Sequence, residues 1–265
     1  MGDVSTKERL VGKELNDAIY KVVEDGNVSG LRELLETYDD VTERNITSIG
    51  WKALHVSSRY GHVDVAKLLI QSGADVKAVD MVGQTSLHVS SRYGHIDVAK
   101  LLTQNGVDVN AVTKTHRTSL HFTTWKGHFN VAKLLIQNGA DVNAVDEDNE
   151  SVLYCASFRS NSVPLTLEVL CFGANIDEKS LQIDRTGLLV QIKERLEKLR
   201  NGEYRITNLC SNEENKFKWS LAFCLTLKYK VAAFKAYYSI RSFITYHGIF
   251  MAPGYDLGKE SIWRK

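Results

Sequence analysis

Residues 83–115 read GQTSLHVSSRYGHIDVAKLLTQNGVDVNAVTKT, and the same text returns on both sides of them. It begins at Gly50 as GWKALHVSSRYGHVDVAKLLIQSGADVKAVDMV and at His116 as HRTSLHFTTWKGHFNVAKLLIQNGADVNAVDED. A looser copy starts at Asn149 as NESVLYCASFRSNSVPLTLEVLCFGANIDEKSL, so successive starts lie 33 residues apart. A fixed period of this size means one supersecondary unit stacked several times, because each copy exposes an apolar face that only its neighbours can cover.

The punctuation inside a copy predicts two helices. Thr85 and Thr118, each followed by Ser-Leu-His, place a hydroxyl where it can accept from an unpaired backbone donor and so open the first helix. Gly61, Gly94 and Gly127 end it, since a residue with positive φ is cheap only for glycine. The second helix, VDVAKLLIQ in the first copy, carries Val65, Leu68 and Leu69 at helical spacing, with Asp64 near its positive end. Gly73, Gly106 and Gly139 stop this helix, and Asp-Val-Asn-Ala leads through an extended turn into the next unit.

This pattern, Thr-x-Leu-His, then Gly-His, Val-x-x-Leu-Leu and Gly-Ala-Asp-Val-Asn-Ala, resembles the ankyrin repeat over four consecutive copies: 50–82, 83–115, 116–148 and 149–181. The resemblance implies a mainly α, curved solenoid of helix-turn-helix units with β-hairpin fingers along one side. The family's Thr-Pro-Leu-His has lost its proline in every copy, to Ala53, Ser86, Ser119 and Val152, which weakens each helix start without changing the fold. The fourth copy also replaces the histidine by Tyr154 and Gly-His by Ser160-Asn161, and is expected to pack less regularly.

Outward from the copies, 1–13 reads as a flexible polar terminus. Residues 14–49 read as a capping repeat broken at Gly26, with Ile19, Val22, Val23 on one strip and Leu31, Leu34, Leu35 on the next. Pro164 suits a first helical turn and places a helix over Leu165–Cys171. Residues 182–265 resemble no family and are expected to form a helical cap or small helical domain. There Leu188, Leu189, Ile192, Leu196 and Leu199 make one stripe, and Ser211 with Glu214 makes a capping box before a long apolar helix. Lys228, Lys230, Lys235 and Arg241 interrupt that helix, leaving no uncharged run of the ~20 residues a bilayer requires.

The net charge of +1 conceals an asymmetry: 182–265 holds 15 Lys and Arg against 8 Asp and Glu, giving +7, and the rest of the chain stands at −6. Four cysteines without Cys-x-x-Cys spacing point to reduced thiols, and no signal-peptide-like run opens the chain, so a cytoplasmic or nuclear location is the expectation. Gly2 formally fits a myristoylation pattern, which the charged Asp3 disfavours.

Eight histidines invite a metal or catalytic reading, and periodicity argues against it. His55, His88 and His121 share one slot, and His62, His95 and His128 another; a whole-repeat spacing of about 10 Å is too long for one ion with ~2 Å bonds. No phosphate loop, His-Glu-x-x-His or nucleophile elbow occurs, so the reading is non-catalytic, without cofactor or metal. Ahead of the glycine that ends each first helix stand Arg59-Tyr60, Arg92-Tyr93, Trp125-Lys126 and Phe158-Arg159. By the resemblance these face the concave side, one cation and one aromatic per copy. Fingertip positions add Ile49, Trp51, Met81, Val82, Gln84, Lys114, Thr115 and Arg117, followed by Glu147, Asp148 and Glu150. Arginine and large aromatics anchor interfaces, so the expected partner is another protein offering acidic residues among apolar ones. The alternative is nucleic-acid or membrane-surface binding through the basic C-terminal part, and an enzyme with an unrecognised C-terminal site is the third class.

Overall fold

The computed structural model describes residues 10–160, 163–182, 189, 190, 193 and 194. Residues 1–189 form one compact unit and 190–265 a second; Gly2, the 211–214 capping box and nearly all of the basic C-terminal part lie outside the described residues.

Helices come in pairs: α1 (Gly12–Glu24) with α2 (Val28–Thr37), α3 (Ala53–Tyr60) with α4 (Val63–Gln71), α5 (Ser86–Tyr93) with α6 (Ile96–Gln104), and α7 (Ser119–Lys126) with α8 (Phe129–Gln137). In the fourth copy a short α9 (Val152–Tyr154) runs into a π-helical segment, Cys155–Arg159, before α10 (Val163–Cys171) and α11 (Glu178–Gln182). The first helices contact one another in one row (α1, α3, α5, α7, α9) and the second helices in another (α2, α4, α6, α8). Leu54, Leu87, Leu120 and Leu153 fill equivalent places in the first row, and Leu69, Leu102 and Leu135 in the second; each is 2% exposed or less. Burial of one such side chain stabilises the fold by about 2 kcal/mol, and since the helices of each copy pack on those of the next, that stabilisation depends on stacking.

Both histidine slots hold the stack together. In the first slot, Nδ1 accepts from the backbone N–H of Lys52, Thr85 or Thr118 (3.3, 3.0 and 3.1 Å). Nε2–H then donates to the next hairpin: His55 to Gln84 O, His88 to Ala111 O and Arg117 O, His121 to Glu150 O (3.0–3.2 Å). This arrangement requires the neutral ring, and burial depresses all three pKa values, His88 to about 4. In the second slot the ring reaches backwards: His62 to Glu24 O (2.7 Å), His95 to Arg59 O (2.8 Å) and His128 to Arg92 O (3.1 Å). Glu24 O lies at the end of α1, so His62 binds the N-terminal helix pair as it would a full copy.

Each reaching ring lies over the glycine that closes the preceding first helix. A Cβ on Gly61 would fall 2.4 Å from His95 Nδ1, and one on Gly94 2.6 Å from His128 Nδ1, while φ is +77° and +81°. Glycine is therefore required there both for its backbone and for the room it leaves.

Each hairpin is reduced to one antiparallel bridge: Val79 with Thr85, Val112 with Thr118, Val145 with Ser151. The tips are tied in series, Met81 N donating to Ile49 O (3.1 Å), Lys114 N to Val82 O (3.0 Å) and Glu147 N to Thr115 O (3.2 Å). The fingers thus form a bonded row.

Candidate binding face

The row of first-helix ends meets the row of fingertips in a cavity of about 310 Å³ between the second and third copies. Arg92, Trp125 and Lys126 come to it from α5 and α7; Val82, Gln84, Lys114, Thr115 and Arg117 come from two fingertips. Thr113 and Phe122 complete the lining. Phe122 stands where the first two copies have Val56 and Val89, and its ring meets His88 edge-on at 5.8 Å, so it forms an apolar floor. That Val-to-Phe change was the signal in the sequence.

The four cations around this cavity differ in how far they are committed. Arg117 Nε donates to buried Asp146 at 2.8 Å, and its Nη2 lies 3.5 Å from Asp148 and 4.0 Å from Glu150. Burial opposes ionisation of Asp146, but Arg117 and the backbone N–H groups of Glu150 and Asp148 hold its carboxyl below the usual range. Arg117 also lies over the Trp125 ring at 4.9 Å, and Arg159 over the same ring at 5.1 Å. Arg92, Lys114 and Lys126 are exposed and make no ion pair among the described residues. The cavity thus presents three positive charges without carboxylate partners among the described residues, above an aromatic floor; of these, Lys126 lies over the Trp125 ring at 6.0 Å.

The other expected contact residues divide. Arg59 is exposed and lies over three rings, Trp51, Tyr60 and Tyr93, at 5.4–5.7 Å, so it links the first two rungs of the ladder. Tyr93 and Met81 are exposed, at 39% and 61%. Tyr60 is half-buried: it shares a hydrogen bond with Tyr20 (3.1 Å) and donates to Glu24 (2.7 Å), and these bonds raise its pKa. Arg159 donates to Glu150 at 3.0 Å, while Phe158 packs on Tyr154 at 5.4 Å. Placement of Trp51 on the fingertip surface is corrected. It is 6% exposed, stacks on His55 and donates Nε1–H to Asp80 at 2.9 Å. Trp51 and Arg117 perform one task, each donating to an aspartate 29 residues ahead that organises the next fingertip, so both serve the scaffold.

The family description "Ankyrin repeats (3 copies)" matches residues 2–80, 19–113 and 77–146, and "Ankyrin repeats (many copies)" matches 123–172. The chain belongs to the ankyrin repeat family. The match includes the N-terminal helix pair, in keeping with the His62–Glu24 bond. No curated protein sequence matches the chain. Ankyrin repeats are in general protein-interaction modules and typically non-catalytic. Among the described residues no helix is long and apolar enough to cross a membrane, and no three His, Cys, Asp or Glu are grouped to hold a metal. Cys155 is buried, and burial followed by the nearby Glu150 pushes its thiol up to about 12, far from a reactive thiolate.

Proposed function

We propose that this ankyrin repeat protein is an adaptor or scaffold that captures an extended segment of a partner protein along the first-helix ends and fingertips, centred on the cavity between the second and third copies. The observation that carries this reading is the set Arg92, Lys114 and Lys126, three cations without carboxylate partners among the described residues, around Phe122 and Trp125. A buried or half-buried aromatic surface with charge of one sign at its rim favours a segment with acidic residues among apolar ones. Tips joined by backbone bonds and rings held by arginines lose little freedom on binding, so little ordering entropy has to be offset.

The test is selection of displayed random peptides on the full chain, repeated with the double variant Arg92→Glu, Lys126→Glu. Neither side chain holds the fold through an ion pair, so the variant should unfold as the parent does. Enrichment of acidic, apolar peptides that the variant fails to retain is the expected result. Equal retention by both proteins, or no enrichment on the parent, overturns the proposal.

A further inference from the structure

Chemistry changes along the fingertip row in a fixed order. At the first two tips Ile49, Met81 and Val82 are apolar and 48%, 61% and 49% exposed. The next stretch holds Lys114 beside Arg92 and Lys126 at the cavity. The last tip carries Glu147 and Asp148, both exposed; Arg117 lies 3.5 Å from the Asp148 carboxylate and Lys179 donates to the Asp148 backbone carbonyl at 2.7 Å, while Glu147 makes no ion pair among the described residues. Glu150 on the same hairpin is already held by Arg159. Because each tip is bonded to the one before it, these three zones cannot exchange places.

We infer that the partner segment is read by order, with its acidic residue lying between an apolar residue at one end and a basic residue at the other. This rests on the proposed binding face and adds a specificity rule to it. The zones follow the repeat spacing of about 10 Å, and an extended chain advances roughly 3.3 Å per residue, so the three recognised side chains fall about three residues apart. Apolar side chains against Ile49, Met81 and Val82 are sheltered from water, the acidic group meets three cations, and the basic group meets Glu147 and Asp148. A permuted segment of the same composition brings like charges together at one or both charged zones, and repulsion of this kind discriminates more than attraction does.

The experiment uses two families of labelled synthetic peptides of identical composition, measured by fluorescence anisotropy on the full chain. One has the acidic residue between the apolar and basic ones, and the other has the basic residue in the middle; each is made in both chain directions, and the tighter direction is compared. The ordered family should bind about tenfold tighter or more. A fingertip charge exchange, Lys114→Glu with Glu147→Lys, should shift preference towards the permuted family. Equal affinity of the two families, or no shift in the exchanged variant, overturns the order rule while leaving the binding face intact. Binding by neither family overturns the rule together with the binding face.

Discussion

The third and fourth copies have the same length and differ in how they are joined to what surrounds them. In the third, His121 donates forward to Glu150 O, His128 reaches back to Arg92 O, and Gly127 turns the chain at φ +78°. In the fourth, Tyr154 occupies the forward slot and the Gly-His pair is gone. Ser160 stays right-handed at φ −84°, and its N–H closes on Cys155 O at 3.1 Å, making a π-helical turn where the other copies have a glycine stop. Ser151 bonds instead to Asp177 at 2.6 Å, which fastens the start of α9 to the residue that precedes α11. Two histidines and a glycine per copy therefore act as one linking device, and its loss marks where regular stacking ends.

Acid provides the largest break in this comparison. An unfolded histidine titrates near 6.5, whereas burial keeps His88 neutral down to about 4. Between those values the unfolded chain binds more protons, so the stability present above pH 6.5 falls as pH drops. The loss is about 1.4 kcal/mol per pH unit and about 3 kcal/mol for His88 at pH 4, with His55 and His121 adding in the same direction. Tyr154 does not change charge in this window. Urea unfolding between pH 7 and 4 checks this, and a flat profile contradicts the neutral ring.

Gly94→Ala and Gly127→Ala separate the two copies next. At Gly94 the added methyl displaces the His128 ring and its bond, besides the cost of positive φ, for about 3 kcal/mol. At Gly127 the nearest atom is Ser160 Cβ at 3.6 Å, leaving the backbone cost of about 1 kcal/mol. Equal losses in denaturant unfolding would show that the rings do not demand the glycines.

Lys77→Asn addresses a gap at the other end. Asn110 donates to Gly139 O (3.0 Å) and accepts from Asp141 N (2.8 Å), and Asn143 makes the same pair of bonds to Gly173 O and Asn175 N. Lys77 holds that slot in the first copy and has no acceptor to offer. Asparagine there should stabilise by about 1 kcal/mol, read as a higher urea midpoint at unchanged slope. Smallest is His116→Gly. His116 has φ +56° where the first two copies have Gly50 and Gly83, so glycine should gain about 0.5 kcal/mol after its own entropy cost. A loss in thermal unfolding would mean that the His116 side chain contributes contacts.

The period of 33 residues, the glycines and the paired histidines made the stack legible, because a device repeated in each copy appears in the text as a repeated letter. Side chains that act once per copy with different chemistry were not legible. Trp51 and Arg117 share no property that a pattern would join, yet each donates to an aspartate 29 residues on. The ladder was readable as residue types but not as commitments: Arg159 is held by Glu150 and Tyr60 by Glu24, whereas Arg92 and Lys126 have no carboxylate partner among the described residues. Such pairings join residues far apart in sequence, and only packing decides them.

The most direct measurement follows the amide and indole signals of the 15N-labelled protein while an acidic, apolar peptide from the selection is added. Shifts concentrated at Val82, Arg92, Lys114, Lys126 and the Trp125 indole N–H, with α4, α6 and α8 unmoved, are the predicted result. Shifts confined to those outer helices, or to residues beyond 182, would contradict the placement of the binding face.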